Sequence, residues 1–175
     1  MCLCPSWLAL IRNRARLCEK TMLSTDQKTP SVARLLGYAG LAPFIALTTL
    51  SFFVSSAHKP AVMFSLLAYG GTIISFLGAI HWGFAMLDAR PSRSALLWGV
   101  CPSLLAWISL LLQVEPGLLL VAFVLLACLV VDYKTYPLYG LDHWLPMRLH
   151  LSIVAVVFTG LPALLGLSGL ALEHL

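Results

Sequence analysis

The chain has 175 residues, of which 60% are hydrophobic and 10% charged, with a formal net charge of +4. Its mean hydropathy of +0.93 excludes both a soluble domain with a polar surface and a disordered chain. The positive charge is dispersed over connectors without forming a basic stripe, so a nucleic-acid ligand is not expected.

Residues 1–32 form a polar and basic tail. Its first 20 residues carry three arginines (Arg12, Arg14, Arg16), Lys20 and a single acid, Glu19. That composition resembles a weak mitochondrial presequence, without the apolar stretch and small-residue cleavage site of a secretory signal. Met22 offers an alternative start, which makes the preceding residues an upstream extension in the reading favoured here. Cys2, Cys4 and Cys18 lie in this tail, with no second pair at zinc spacing. Cys101 and Cys128 fall inside apolar segments, where a thiol acts as a small filler. No disulfide, metal or cofactor is expected from them.

From residue 33 to 173 the chain reads as a single all-α membrane domain of five spans: 34–57, 61–87, 94–113, 116–131 and 149–172. A hydrocarbon core about 30 Å thick requires about 20 apolar residues at about 1.5 Å each, and only the fourth segment is at the short limit. Lys20, Lys28, Arg34, Arg90, Arg93, Lys134 and Arg148 fall on one side of this pattern and Lys59 alone on the other. Positive residues collect on the inner side, so the N-terminus is expected inside and the C-terminus outside. Deleting the fourth span would move Lys134 and Arg148 to the outer side, so the charge pattern supports it.

Pro43, Pro102 and Pro162 lie within spans, and a kink is expected at each. In lipid each freed carbonyl must find a donor on a neighbouring helix, which favours tight packing or a water-lined cavity. The second span carries Gly71, Ser75 and Gly78 on one face, together with Trp82; small residues there let another helix backbone approach closely. His81 and Asp88 lie at the edge of this face, His81 about 10 Å deeper, so the two do not pair directly. An ionisable residue within a span is a candidate functional group. The competing reading of His81 is a neutral imidazole donating one hydrogen bond to a carbonyl freed by a proline. Among apolar neighbours, Cys101 at a similar depth offers it only a remote chance of forming a metal site.

The connector 132–148 is rich in rings: Tyr133, Tyr136, Tyr139 and Trp144 suit the headgroup layer. Asp132, Asp142, His143 and Arg148 supply charges there that are expected to pair with Asp88, Arg90 or Arg93 of the neighbouring connector. The connector reads as an interfacial collar, or as a docking face for a protein or lipid headgroup. No phosphate loop, nucleophile elbow, zinc-protease motif or paired carboxylates occur, so no catalytic residues are assigned.

Several stretches together carry a family resemblance: Leu36-Gly-Tyr-Ala-Gly-Leu-Ala-Pro-Phe44, Ile74-Ser-Phe-Leu-Gly-Ala-Ile-His-Trp-Gly83, Trp98-Gly-Val-Cys-Pro102 with Trp107, and the connector from Asp132 through Trp144 to Met147 and Arg148. Over about 34–165 the chain resembles domain of unknown function 3429. The resemblance implies a small multi-pass protein of the bacterial cytoplasmic (inner) membrane or the mitochondrial inner membrane, with no established activity. It singles out His81, Trp82, Asp132 and Arg148. The expected role is a non-enzymatic subunit or assembly factor, with lipid around it and a protein partner or second copy docking through the second span and the 132–148 connector. The alternative is a small carrier or channel with a polar cavity around His81.

Overall fold

The computed structural model describes residues 29–88 and 92–173, with side chains through Gly166. The tail ahead of residue 29, with its alternative start, and Arg90 lie outside the described residues. Every regular element described is helical. The first span, Ser31–Phe53, is built from two pieces, α1 (Ser31–Ala39) and α2 (Ala42–Phe53). The others are α3 (Lys59–Leu87), α4 (Arg93–Leu111), α5 (Val114–Thr135) and α6 (Leu145–Glu173). Two short 3-10 turns, Tyr136–Tyr139 and Asp142–Trp144, join α5 to α6. Five segments are long and apolar enough to cross a membrane. Linked in sequence by short connectors, they alternate in direction, so the start of α1, the ends of α3 and α5 and the starts of α4 and α6 share one end of the bundle.

The charges, rather than the apolar runs, account for the differences in helix limits. The fourth span (α5) continues beyond residue 131 to Thr135, and the fifth (α6) begins at Leu145 instead of 149. Asp132 and Arg148 therefore lie inside helices rather than in the connector, because each neutralises the other there. The first span ends at Phe53, where Val54 turns extended, short of the expected residue 57.

α3 and α5 form the centre of the bundle. Leu66, Leu67 and Ile74 of α3 and Leu118, Val121 and Leu125 of α5 are fully buried, with Phe44 and Ala163 against them. The fourth span, the shortest in the sequence pattern, is thus one of the best covered. Phe53, Phe64, Leu97, Trp107 and Phe123 point outward, as lipid-facing residues do. Lipid tails are as apolar as the core, so close packing and polar contacts hold the helices together.

The prolines show where some of those contacts are needed. Pro43 follows the interruption between α1 and α2 and sits in the first turn of α2. There Tyr69 of α3 donates its hydroxyl to the Gly40 carbonyl at 2.8 Å. Pro162 lacks the N–H that would reach the Phe158 carbonyl. Thr48 of α2 supplies that donor from its hydroxyl at 2.6 Å. The helix assignment runs through Pro102 and Pro162 without interruption.

α3 and α4 meet through glycine. A Cβ on Gly78 would lie 2.9 Å from the Gly99 carbonyl and 3.0 Å from Pro102, and one on Gly99 would overlap the Trp82 ring at 1.9 Å. Gly71 faces Ala106 of α4 at ordinary contact distance. Ser75 returns its hydroxyl to the Gly71 carbonyl of its own helix. The small-residue face of the second span is therefore covered from within the chain.

Candidate functional site

Three helices each bring one ionisable side chain to a common depth near one end of the bundle. His81 lies six residues before the end of α3, about 9 Å into the helix. Asp132 lies in the last turn of α5 and Arg148 in the first turn of α6. The connector makes this possible: Gly140, at φ +67°, ends the first 3-10 turn in a left-handed conformation that glycine adopts freely. The chain then re-enters helix within a few residues, which places Arg148 opposite Asp132.

The geometry is closed. Arg148 donates from Nε at 2.9 Å and from Nη2 at 2.6 Å to Oδ2 of Asp132. His81 donates from Nε2 to Oδ1 of the same carboxylate at 3.0 Å. His81 is 3% exposed, Asp132 1% and Arg148 9%. The partner of His81 is thus a carboxylate on α5, not a carbonyl freed by proline. A carboxylate offers stronger, charge-assisted acceptance, and here both its oxygens are used.

Rings enclose the site. Phe84 stands edge-on to His81 and to Tyr136, at centroid separations of 5.9 and 5.6 Å, and stacks on Tyr139 at 4.6 Å. The Arg148 guanidinium carbon lies 5.7 Å from the Tyr136 ring centroid. Apolar cover of this kind strengthens the ionic contacts and raises the cost of leaving any one of them unpaired.

The remaining sequence candidates lie elsewhere. Trp82 faces α4, donating Nε1–H to the Leu96 carbonyl at 3.0 Å. Asp88, just beyond α3, accepts the Tyr139 hydroxyl at 2.8 Å. Asp142 and His143 belong to the second 3-10 turn, with the His143 ring beside Trp144. Among the described residues, Asp132 pairs with Arg148 and His81 rather than with the neighbouring connector.

Two cavities flank the triad. One, of about 440 Å³, is lined by His81, Asp88, Ser92, Ser94 and Trp98, among others. The Trp98 indole N–H is buried there without a hydrogen-bond partner among the described residues. The other, of about 490 Å³, lies between α1, α3 and α6 and is bounded by Arg148 and Tyr136. A cation at the triad would meet the guanidinium charge, and no cluster of three or more His, Cys, Asp or Glu side chains suited to a metal occurs among the described residues.

The family model described as "Protein of unknown function (DUF3429)" matches residues 29–164, which include α1 to α5, α6 as far as residue 164 and the whole triad. The chain belongs to this family. Relatives of DUF3429 type include "Transmembrane protein 69" of Xenopus tropicalis, 37% identical over 133 residues, covering 73% of this chain and 51% of the relative. The protein of the same name from Mus musculus is 25% identical over 133 residues, covering 74% of this chain and 54% of the relative. The chain thus spans about half the length of these relatives. No solved structure matches it. DUF3429 membership and the apolar helices together establish a multi-pass membrane protein.

The sequence alone did not reveal Tyr136 and Phe84 as walls of the triad, nor Thr48 as the donor to the carbonyl freed by Pro162 and Tyr69 as a donor to the Gly40 carbonyl at the break between α1 and α2. Their types are ordinary in membrane helices, and only the packing gives them partners.

Proposed function

We propose that the protein is a non-enzymatic membrane subunit or assembly factor, a rigid bundle that presents its ring-rich end to a membrane complex. One observation carries this reading: the ionisable side chains inside the bundle satisfy one another across three helices at 1–9% exposure. A group that moves protons or substrate needs access and an alternative partner, whereas a carboxylate with both oxygens engaged in this way holds helices in register. The small-residue face of α3 is occupied by α4, which leaves the connector as the docking face. There Leu138 is 81% exposed, and Tyr133 at the end of α5 is half-exposed.

The test is purification of the tagged full chain in native nanodiscs, with mass spectrometry of bound proteins. Stoichiometric partner chains that are lost on Leu138→Glu, while the bundle keeps its melting temperature, support the reading. A partner-free monomer, or a partner indifferent to Leu138→Glu, overturns it.

A second reading, a small carrier, rests on the polar cavity beside His81 and on the Trp98 indole, which has no hydrogen-bond partner among the described residues. Proton flux in proteoliposomes that disappears with His81→Phe would favour it. Flux equal to that of empty liposomes would remove it.

A further inference from the structure

The cavity on the Arg148 side has a shape and chemistry that the triad does not explain. Its walls are Ala33, Leu36 and Gly37 of α1, Phe76 and Ile80 of α3, and Leu151 of α6, all apolar. It continues into a second space of about 170 Å³, which shares Leu36, Gly37, Phe76, Arg148 and Leu151 with it and runs deeper to Phe44 and Ala155. The larger space alone, at about 490 Å³, falls within the roughly 300–1,000 Å³ of small-molecule sites. Together they form an apolar slot with one charged group at its rim.

That group has donors to spare. Nε and Nη2 of Arg148 serve Asp132, and the guanidinium also donates to the Tyr136 hydroxyl, which leaves two of its five N–H groups for a ligand. The Tyr136 hydroxyl accepts from Arg148 and keeps its own O–H to donate. Both residues line the cavity, and both are more than nine-tenths buried. Arg148 also sits in the first turn of α6, where the helix dipole favours an anion. Trp144 stands at the mouth, a position suited to the headgroup layer.

We infer that this slot holds one anionic phospholipid, with its phosphate on the Arg148 guanidinium and the Tyr136 hydroxyl and an acyl chain along Leu36, Phe76 and Leu151 towards Phe44. Charge complementarity selects the headgroup, because arginine matches phosphate geometry and basic sites between membrane helices favour anionic lipids. The depth selects the orientation: the charge lies one turn inside the bundle end and the apolar slot runs inward from it. This site is independent of any protein partner at the connector.

The full chain, purified in mild detergent and supplied with equal phosphatidylglycerol and phosphatidylcholine, is examined by native mass spectrometry. One phosphatidylglycerol per chain is expected to persist. Ala33→Trp fills the slot from α1 while leaving all three triad residues in place, and is expected to lower that occupancy at least about tenfold, equivalent to ~1.4 kcal/mol. Tyr136→Phe keeps the ring and removes only the hydroxyl; a several-fold loss is expected, and it decides the matter if Ala33→Trp does not fold. Equal retention of the two lipids, retention of neither, or folded variants that both hold phosphatidylglycerol as tightly as the natural chain would overturn the site.

Discussion

Asp132→Asn isolates the central charge of the bundle. In the natural chain the carboxylate accepts two hydrogen bonds from Arg148 and one from His81. The amide keeps the volume but leaves the guanidinium without a counter-charge at 9% exposure. Breaking a buried ion pair by removing one partner costs about 3–5 kcal/mol. Arg148 lies one turn from the helix start and can lift its head towards the interface, which favours the lower end of that range. At about 2–4 °C per kcal/mol for a chain of this size, the melting temperature should fall by roughly 6–20 °C. Circular dichroism in detergent reads this directly. The paired variant Asp132→Leu with Arg148→Met removes both charges and should recover most of the loss, since apolar replacement of a whole buried pair is often neutral or better. A drop below about 2 °C for Asp132→Asn, under ~1 kcal/mol, or a paired variant as unstable as the single one, would refute the reasoning.

Other consequences are smaller and separable. Thr48→Val should cost about 1–2 kcal/mol by leaving the Phe158 carbonyl unpaired; in a Pro162→Ala background, which restores an intrahelical donor, the same change should cost clearly less, as a double-mutant cycle of melting temperatures would show. Gly99→Val should destabilise by about 1–3 kcal/mol through overpacking against Trp82, and thermal melting that matches the natural chain would contradict the close α3–α4 approach. Single cysteines at 56 and 142 in a cysteine-free background test the proposed orientation: an impermeant maleimide should label position 56 in intact cells and position 142 only after permeabilisation.

Composition and hydropathy made the five spans legible, because helix length and apolar content are local properties. Proline positions likewise indicated that carbonyls would need donors from neighbouring helices, and Thr48 provides one at Phe158, four residues before Pro162. The limits of α5 and α6 were less legible. An apolar run reads as stopping at its first charge, but Asp132 and Arg148 remain helical because they meet. His81, Asp132 and Arg148 were visible one by one as charges in unusual places. Their convergence depends on a turn at Gly140 and on the packing of α3 between its neighbours, which no periodicity records. The glycine face of α3 indicated a close helix contact without identifying the helix, and α4 occupies it.

The ion pair between α5 and α6 also bears on how the chain enters its membrane. A lone arginine in a membrane helix costs about 2.5–3.5 kcal/mol at the centre on insertion scales, less near the ends, and a lone aspartate is similarly unfavourable. Asp132 and Arg148 are 16 positions apart in sequence, on either side of one tight connector, so the two helices can neutralise each other before either faces lipid. His81 belongs to a helix made earlier and is already in place to receive the carboxylate. The last two helices therefore behave as a single hairpin during biogenesis, and a ribosome that stops before residue 148 leaves behind a nascent chain whose penultimate helix lacks its counter-charge.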